Sequence, residues 1–363
     1  MSKDLLVNYE NQPCYNIYLR TDFNDLAKLF EQDTKAAYDK ICIVADSNTS
    51  RLYLDELLTI FKSFNVPVTS FVFEAGEASK NLNTVQKLYE HLVLFKATRH
   101  SLLVALGGGV VGDLTGFTAA TYMRGIDFIQ VPTTLLAQVD SSIGGKTGVD
   151  FNQYKNMVGA FYMPRLVYMN LSTLSTLDDT NFSCGMGEVI KSALIQNDKL
   201  YIWLKDKFSL VCNRDFDSLE YMIYECCRIK AHVVEVDPKE HGIRAFLNYG
   251  HTLGHAIEKL SDFSLGHGQC VAVGMVCANY LSKKLGFLSE AQCQDIQDTF
   301  ISYGLPVSIS GMTKEDILKA SKSDKKMAAG KIKFIVLKAI GQADSYMDFT
   351  DHDLLEAIEK VLN

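Results

Sequence analysis

The chain has 363 residues, 47% of them hydrophobic and 22% charged, a composition typical of a globular protein with enough length for two domains. Its formal net charge of −7 and its pI near 5.7 argue against a general nucleic-acid or membrane-surface binder, although basic residues that converge locally can still bind an anion. The first residues lack the apolar core of a signal peptide, no apolar run reaches membrane-spanning length, and the nine scattered cysteines form no C-x-x-C pair, so we expect a cytoplasmic protein with reduced thiols.

In the first half of the chain, short apolar runs alternate with segments of helical period. The runs that predict strands are residues 15–20, 40–45, 67–73, 101–106, 128–131 and 166–170. The helical periods cover residues 25–30, 52–64 and 82–94, with a short helix after residue 109. Alternation of this kind predicts βαβ units and a mostly parallel, Rossmann-like sheet.

From about residue 177 the periods become helical. Helices are predicted near residues 186–196, 198–212, 215–234, 250–260, 268–285, 289–303, 314–320 and 351–362. The run Lys333–Leu337 is predicted to belong to a strand pair. We therefore expect an α/β domain over residues 1–176 and an all-α domain over residues 177–363.

A glycine-rich turn follows the predicted strand at residues 101–106. Gly107, Gly109 and Gly112 fit G-x-G-x-x-G, and consecutive glycines at a helix start let backbone amides approach a pyrophosphate. The pattern alone is weak, because the acid expected about 20 residues later is absent. Asp46, directly after another predicted strand, is the better ribose ligand, although a helix N-cap is an alternative role for it.

Polar residues also follow other predicted strands, which favours a dinucleotide site over an ordinary turn. Gly76-Glu77 and Lys80 follow the strand at 67–73, and Thr133-Thr134 follow the strand at 128–131. Ligands of open parallel sheets bind at the carboxyl ends of the strands.

A possible metal site lies in the helical half. His251 and His255 are one helical turn apart, but Thr252 stands where a zincin has its glutamate, so a metalloprotease is excluded. His267 lies between two glycines and Glu188 lies near a helix start. Each residue alone has an ordinary structural explanation, but a carboxylate with two imidazoles would leave zinc positions open for substrate oxygens.

Basic residues cluster within the same glycine-rich and polar motifs, in a pattern suited to an anionic substrate. They are Arg124, Lys146, Lys155, Lys191, Lys230, Arg244, Lys325 and Lys326.

Taken together, these motifs resemble the 3-dehydroquinate synthase family of sugar phosphate cyclases over nearly the whole chain. The most specific segments are Gly107–Gly116, Tyr122–Gly125, Val131–Thr134, Asp140–Thr147 and Asn248–His255. The resemblance implies a dehydroquinate synthase-like fold with an NAD-binding α/β domain and a helical metal domain, usually as a homodimer. It also implies conversion of 3-deoxy-D-arabino-heptulosonate 7-phosphate to 3-dehydroquinate and phosphate in the shikimate route. The steps would be transient oxidation by NAD, β-elimination of phosphate, re-reduction, ring opening and aldol closure.

The resemblance also implies roles for individual residues. The NAD contacts would be Asp46, Asn48, Glu77, Lys80, Gly108, Gly109, Asp113, Thr133, Thr134 and Thr176. The ligands of zinc, or of cobalt or another divalent metal, would be Glu188, His251 and His267. The substrate phosphate would contact Lys146, Asn156, Asn248, His255 and either Lys325 or Lys326. The substrate carboxylate would contact Lys230 and Arg244, and its ring hydroxyls would lie near Asp140, Lys155 and Lys191. Arg124 would reach the active site of the neighbouring subunit.

One departure from the family is visible at Asn181, where a glutamate is common seven residues before the metal-binding acid. Alternatives to this function are another sugar phosphate cyclase, a metal-dependent polyol dehydrogenase that releases NADH, and a non-catalytic dinucleotide- or metal-binding protein. Cyclases whose substrate lacks a carboxylate have no need of Lys230 and Arg244. Retention of Lys146, Lys191 and Arg244 disfavours a non-catalytic protein.

Overall fold

The computed structural model describes residues 3–34, 36–152, 154–238, 240, 242–262, 264–322, 327–328 and 331–363. Contacts divide the chain into two compact units, Met1–Leu177 and Asp178–Asn363. The first unit combines strands with helices, whereas helices predominate in the second. This is the predicted architecture of an α/β domain followed by a helical one.

The first unit is built on a seven-stranded sheet and one separate hairpin. In chain order its strands are β1 (Lys3–Tyr9), β2 (Gln12–Arg20), β3 (Ile41–Asp46), β4 (Val68–Phe73), β5 (Leu102–Gly107), β6 (Asp127–Pro132), β7 (Lys146–Phe151), β8 (Tyr154–Phe161) and β9 (Leu166–Asn170). Its helices are α1 (Leu26–Thr34), α2 (Ser47–Lys62), α3 (Leu82–Leu94) and α4 (Gly109–Thr121). The sheet order is β1-β2-β9-β6-β5-β3-β4, and every pairing except that of β1 with β2 is parallel.

The central strands are buried on both faces, which explains their continuous apolar sequences. Because side chains alternate along a strand, Ile41 and Ile43 enter one core cluster together with residues of α1 and α2. Cys42 and Val44 enter a second cluster on the other face, together with residues of α3 and α4. The parallel sheet is thus covered by helices on both faces, and the carboxyl ends of its strands meet at one edge.

The second unit consists mainly of helices, with short strand pairs near its end. In chain order the helices are α5 (Asp179–Gln196), α6 (Asp198–Asp206), α7 (Phe208–Cys212), α8 (Phe216–Val236), α9 (His251–Leu260), α10 (His267–Lys284), α11 (Glu290–Ser302), α12 (Lys314–Lys322) and α13 (Asp351–Glu359). The strands are β10 (Met327–Ala328), β11 (Lys331–Ile332), β12 (Phe334–Ala339) and β13 (Gln342–Tyr346). The antiparallel pair β12–β13 includes the strand predicted at Lys333–Leu337, so this domain is helical but not all-α.

Helix α10 lies at the centre of the second unit. It packs against α5, α9, α11, α13 and β12, and it is apolar around most of its circumference. Such a helix is stable only when neighbours cover all of its faces. Among the described residues, none of the helices combines the length and the apolar character needed to cross a bilayer.

The bounds of two predicted helices differ from the observed ones for an identifiable local reason. Helix α2 begins at Ser47 rather than at residue 52, because the Asp46 carboxylate accepts hydrogen bonds from the Asn48 and Thr49 amides and caps the helix there. The helix predicted over 198–212 is divided at Lys207, whose φ of −103° and ψ of 14° end one helix and begin the next. The change of direction lets Phe208 pack edge-on against Tyr303.

Candidate active site

The predicted cofactor residues of the first unit lie along one edge of its sheet. β3 ends at Asp46, its neighbour β5 ends at Gly107, and the next strand β6 ends at Pro132. The Thr133 amide donates to the Gly107 carbonyl at 3.0 Å, which joins two of these strand ends directly. Parallel pairing therefore brings together residues that are far apart in sequence, at the edge where α/β sheets bind ligands.

The glycine-rich turn has the backbone that close approach of a ligand requires. Gly108 is the N-cap of α4 and supplies no side-chain cap, so the first amides of that helix are oriented towards the turn. A Cβ on Gly112 would lie 2.6 Å from Gln130 Oε1, so glycine lets α4 pack against β6 without displacing the Gln130 side chain. The third glycine of the G-x-G-x-x-G pattern thus serves helix packing.

Asp46 caps the N-terminus of α2, which is the alternative role that the sequence analysis allowed for it. Its Oδ1 accepts from the Asn48 amide at 2.9 Å and from the Thr49 amide at 2.8 Å. A carboxylate has a second oxygen and further lone pairs, so capping is compatible with binding a ribose hydroxyl. Asn48 is exposed in the first turn of the same helix.

Lys80 joins predicted cofactor residues to predicted substrate residues within the first unit. Its Nζ donates to Asp113 Oδ2 at 2.6 Å and to Asn156 Oδ1 at 2.7 Å, and the side chain is buried. Burial alone would lower the pKa of Lys80, but the nearby carboxylates, Asp113 first among them, outweigh burial and raise it. The ammonium therefore stays charged. A second pair, Lys155 with Glu77 at 3.1 Å, connects the same two segments.

The other predicted residues of this unit have varied surroundings. Asp140 lies in a π-helical turn over Ala137–Ser141, and Lys146 is exposed at the start of β7. Thr176 hydrogen-bonds through its hydroxyl to Tyr53. Arg124 is exposed in a turn where its φ is +69°.

In the second unit, four predicted site residues converge from three helices. Glu188 of α5 has its Oε1 3.5 Å from His251 Nε2 and 3.6 Å from His267 Nε2. The ligand nitrogens of His251, His255 and His267 all lie within 4.8 Å of one another. A carboxylate oxygen with imidazole nitrogens is a donor set that suits Zn²⁺ or Co²⁺. The described residues thus offer a histidine triad beside Glu188, one histidine more than the predicted ligand set.

Close backbone packing explains why these side chains meet. A Cβ on Gly187 would lie 2.7 Å from the Gly268 carbonyl oxygen, so α5 and α10 approach each other closely beside Glu188 and His267. A Cβ on Gly254 would lie 3.0 Å from the Cys270 carbonyl oxygen, so α9 is equally close to α10. Glycines therefore bring the three helices that carry the predicted metal ligands close together.

Hydrogen bonds fix the orientation of two of the imidazole rings. His251 Nδ1 lies 3.1 Å from the Tyr249 carbonyl oxygen, so this nitrogen carries the proton and Nε2 presents a lone pair. His267 Nδ1 lies 3.3 Å from Glu258 Oε2, so Nδ1 carries a proton and Nε2 is the nitrogen that a metal could bind once the Nε2 proton has left. Both Nε2 atoms are the ones that face Glu188.

Glu258 is a functional candidate that the sequence analysis missed. It is buried, and it lies seven residues after His251 and three after His255 on one face of α9, a spacing that could have indicated it. Loss of such an outer carboxylate typically costs 10–100-fold in metal affinity.

We therefore expect Glu258→Ala to weaken zinc binding by about tenfold or more, measured by competition with a chromogenic chelator. Glu258→Gln, which can still accept from Nδ1, should retain most of the affinity; equal losses in both variants would contradict this role.

His267 would make the affinity for a metal bound at this cluster depend on pH. Burial disfavours its charged form, but the Glu188 and Glu258 carboxylates outweigh burial and raise the pKa of His267 to about 9. In metal-free protein this proton stabilises the folded state fully below the unfolded histidine pKa of about 6.5. That stabilisation is lost as the pH rises through 9.

The melting temperature of chelator-treated protein should accordingly fall as the pH is raised from about 6.5 towards 9. Zinc competes with the proton, so the increase in melting temperature on adding zinc should grow over the same interval. His267→Gln should remove both trends. A metal-free melting temperature that rises across this range, in a manner dependent on His267, would contradict the prediction.

The predicted substrate residues of the second unit are mostly buried cations. Lys191 forms an ion pair with Glu188, and Lys230 is 8% exposed on α8. Arg244 is 1% exposed, and its Nη1 donates to the Pro238 carbonyl at 2.5 Å. Asn248 donates from Nδ2 to Glu240 Oε1 at 2.6 Å. Lys325 and Lys326 lie outside the described residues.

Asn181 lies at the start of α5 and takes part in its capping. Its backbone amide and its Nδ2 both donate to the Asp178 carboxylate, at 2.8 and 2.7 Å. The residue that departs from the family pattern thus serves the helix terminus.

Comparisons with known proteins agree with this architecture. The model of the 3-dehydroquinate synthase N-terminal region matches residues 70–184, and that of the C-terminal region matches residues 185–327. A 3-dehydroquinate synthase from Ruminiclostridium cellulolyticum is 42% identical over 331 residues, which is 90% of this chain and 91% of the relative. One from Acetivibrio thermocellus is 40% identical over 98% of both chains.

Solved structures with the same fold include a 2-epi-5-epi-valiolone synthase from Streptomyces hygroscopicus with bound NAD⁺ and Zn²⁺. It is 25% identical, has a TM-score of 0.87, and the match covers 98% of this chain and 99% of that one. A 2-deoxy-scyllo-inosose synthase with NAD⁺ and Co²⁺ is 24% identical with a TM-score of 0.86, over 99% of this chain and 100% of that one. Dehydrogenases share the fold more distantly, as a glycerol dehydrogenase from Sinorhizobium meliloti does with 13% identity and a TM-score of 0.67, over 95% of this chain and 96% of that one.

Proposed function

Because this chain belongs to the 3-dehydroquinate synthase family, we propose that it converts 3-deoxy-D-arabino-heptulosonate 7-phosphate to 3-dehydroquinate and phosphate. The observation that carries the proposal is 40–42% identity to curated 3-dehydroquinate synthases over nine-tenths or more of this chain. The product places the enzyme in the shikimate route to aromatic amino acids. The reaction consumes no net oxidant, since the hydride removed in the first step is returned later.

NAD and a divalent metal are the cofactors of this proposal, and both units have residues suited to them. When bound, NAD supplies a reversible hydride acceptor and the metal supplies a Lewis acid for adjacent hydroxyls. The edge with Asp46, Gly108 and Thr133 would hold the dinucleotide. Glu188, His251 and His267 would hold the metal, with His255 either beside the ion as a further ligand or on the substrate phosphate.

The chain's own cations would bind and orient the substrate. A phosphorylated, carboxylated sugar carries anionic groups at two places, and each needs positively charged or N–H donors. Lys146, Asn156, Asn248 and His255 are the candidates for the phosphate, and Lys230 and Arg244 for the carboxylate. Asp140, Lys155 and Lys191 are the candidates for the hydroxyls. Fixing several groups at once would hold the reactive conformer and retain the intermediate between steps.

The test is an assay that follows phosphate and NADH together. Zinc-loaded protein with a trace of NAD and the sugar phosphate should release phosphate over many turnovers without accumulating NADH. Stoichiometric NADH without phosphate would instead identify a polyol dehydrogenase. Protein that binds zinc and NAD but forms neither phosphate nor NADH would indicate a non-catalytic binding protein. Either result would refute the proposal.

We also propose a homodimer in which Arg124 reaches the neighbouring active site. The support is family membership together with the exposed turn, where Met123, Arg124 and Gly125 all have positive φ. Sedimentation velocity should give a mass of about twice 40.5 kDa. Mixing Arg124→Ala with an inactive Glu188→Gln protein should restore part of the activity, whereas a monomeric, active protein would exclude this arrangement. The cytoplasmic location stays a prediction.

A further inference from the structure

The β7–β8 hairpin of the first unit has an irregularity at Asp150. The two strands pair regularly from Lys146 with Phe161 to Val149 with Val158, and the register then shifts before Phe151 pairs with Tyr154. Only Asp150 lies between these two pairs on β7, whereas residues 155–157 lie between them on β8, so the extra residues of the bulge belong to β8. The bulge interrupts the hairpin ladder opposite Asp150, whose backbone pairs with a segment outside the hairpin.

The backbone and the side chain of Asp150 make separate connections. Its amide donates to the Lys80 carbonyl at 2.8 Å, and a parallel bridge pairs it with Asn81. Its Oδ1 accepts from the Asn156 backbone amide at 2.8 Å. Asp150 therefore ties the hairpin to the segment that precedes α3 and also closes the turn of the hairpin onto Asn156.

Asn156 has an unusual backbone that needs such support. Its φ is +49°, in the left-handed region that costs energy for residues other than glycine, although asparagine tolerates it better than most. The bond from its amide to a carboxylate is charge-assisted and therefore stronger than a bond to a neutral acceptor. The Asp150 carboxylate thus stabilises the conformation that determines where the Asn156 side chain points.

Lys80 then fixes the rotation of the Asn156 carboxamide. The lysine ammonium can only donate, so the Asn156 atom 2.7 Å from it is the acceptor Oδ1. The Nδ2 group, with its two N–H donors, is directed away from Lys80. The Asn156 residue is exposed, so these donors are accessible to an anionic ligand.

We propose that Asp150 is a positioning residue, which holds Asn156 so that its Nδ2 donors face the phosphate of the substrate. The inference rests on the proposed function, in which Asn156 contacts that phosphate. Asp150 does not touch the substrate in this arrangement and acts through Asn156. The Asp150 amide also donates to the Lys80 carbonyl, at the end of the Glu77–Lys80 segment that carries two cofactor candidates. Asp150 therefore supports both the phosphate contact and the cofactor candidates of this unit.

The experiment compares Asp150→Ala with Asp150→Asn and with the control Asp39→Ala. Asp150→Ala should raise the KM for the sugar phosphate about tenfold and change kcat by less than about threefold, as expected for a lost charge-assisted hydrogen bond to a positioning group. Asp150→Asn retains an acceptor and should lie within about threefold of the parent KM.

Asp39 is a matched control because it is similarly half-buried and plays a similar structural part elsewhere. Its carboxylate accepts from the Thr98 and Ser101 hydroxyls, and its amide donates to the His100 carbonyl. It precedes β3, at the opposite end of the strand from Asp46. Asp39→Ala should lower the melting temperature without raising KM. An equal increase in KM in Asp39→Ala and Asp150→Ala would show that the KM increase comes from lost stability and not from a lost positioning contact. That result would overturn the proposal.

A double-mutant cycle tests the route through Asn156. Asn156→Gly keeps the left-handed backbone accessible and removes the carboxamide. Adding Asp150→Ala to Asn156→Gly should raise KM by less than about twofold, because the contact is already lost. A second tenfold increase, or an unchanged KM in Asp150→Ala alone, would overturn the proposal. If the parent protein releases no phosphate at all, the proposed function is refuted. If the parent protein is active and Asp150→Ala has the same KM as the parent, only the role of Asp150 is refuted.

Discussion

Replacing Glu188 by glutamine should lower phosphate release by about 1,000-fold, the loss expected when about 4 kcal/mol of transition-state stabilisation disappears. Glu188 is 1% exposed and has its Oε1 within 3.6 Å of two imidazole nitrogens, with the Lys191 ammonium at its other oxygen. Glutamine has nearly the same size but no charge. The substitution therefore leaves a buried lysine without its counter-ion and removes an anionic ligand from a dication.

Zinc binding gives a second measurement of the same variant. The affinity of Glu188→Gln for zinc should fall by more than the 10–100-fold that loss of an outer contact costs. The melting temperature in the presence of chelator shows whether the variant is folded. Glu225→Gln is a matched control, because Glu225 is another poorly exposed glutamate of the second unit, paired with Arg228. Full zinc affinity in a folded Glu188→Gln protein would exclude Glu188 as a metal ligand.

Replacing Lys230 by alanine should reduce kcat/KM for the carboxylated sugar phosphate by about 100-fold, since a charge-assisted contact to a buried cation contributes about 2–3 kcal/mol. Lys230 lies on α8, which packs against α5 and against the 3₁₀ turn Ile243–Asn248 that carries Arg244. The side chain is 8% exposed, so water competes poorly with a bound carboxylate. Lys230→Met keeps the aliphatic stem, and a similar loss there would assign the effect to the charge.

The substrate provides the sharpest control for Lys230. An analogue that lacks the carboxylate should bind to the parent and to Lys230→Ala with affinities that differ by less than about threefold. Lys205→Ala, which removes an exposed lysine paired with Asp295, should leave turnover of the carboxylated substrate and binding of the analogue unchanged. Near-normal turnover of the carboxylated substrate by folded Lys230→Ala would refute the role. It would also reopen the question of which sugar phosphate the enzyme uses.

Much of the secondary structure could be predicted because local patterns suffice for it. Helix α3 covers Leu82–Leu94 and strand β9 covers Leu166–Asn170, in agreement with the prediction. Buried parallel strands and amphipathic helices have continuous or periodic apolar sequences that a single chain displays. The edge strand β1 and the hairpin β7–β8 were missed. Both are partly exposed, so their sequences lack a buried period.

The site could be predicted only in part. Glycine turns, basic residues and histidine spacing indicated which side chains matter, and family resemblance suggested their roles. The sequence did not indicate that Glu258 orients His267, or that Lys80 connects Asp113 with Asn156. These contacts join residues 9, 33 and 76 positions apart, and no local pattern specifies such a pair.

The sequence by itself therefore determined the α/β and helical halves, the glycine turn and the inventory of ionisable groups, because each depends on the order of neighbouring residues. Only the tertiary structure decided which of those groups meet. Glu188 and His267 converge because Gly187 and Gly268 let two helix backbones approach within a distance that any side chain would prevent. Asp150 supports Asn156 because the bulge in β8 places the Asn156 amide against the Asp150 carboxylate. Both facts follow from packing in three dimensions, where a displacement of about one ångström separates a working site from scattered residues.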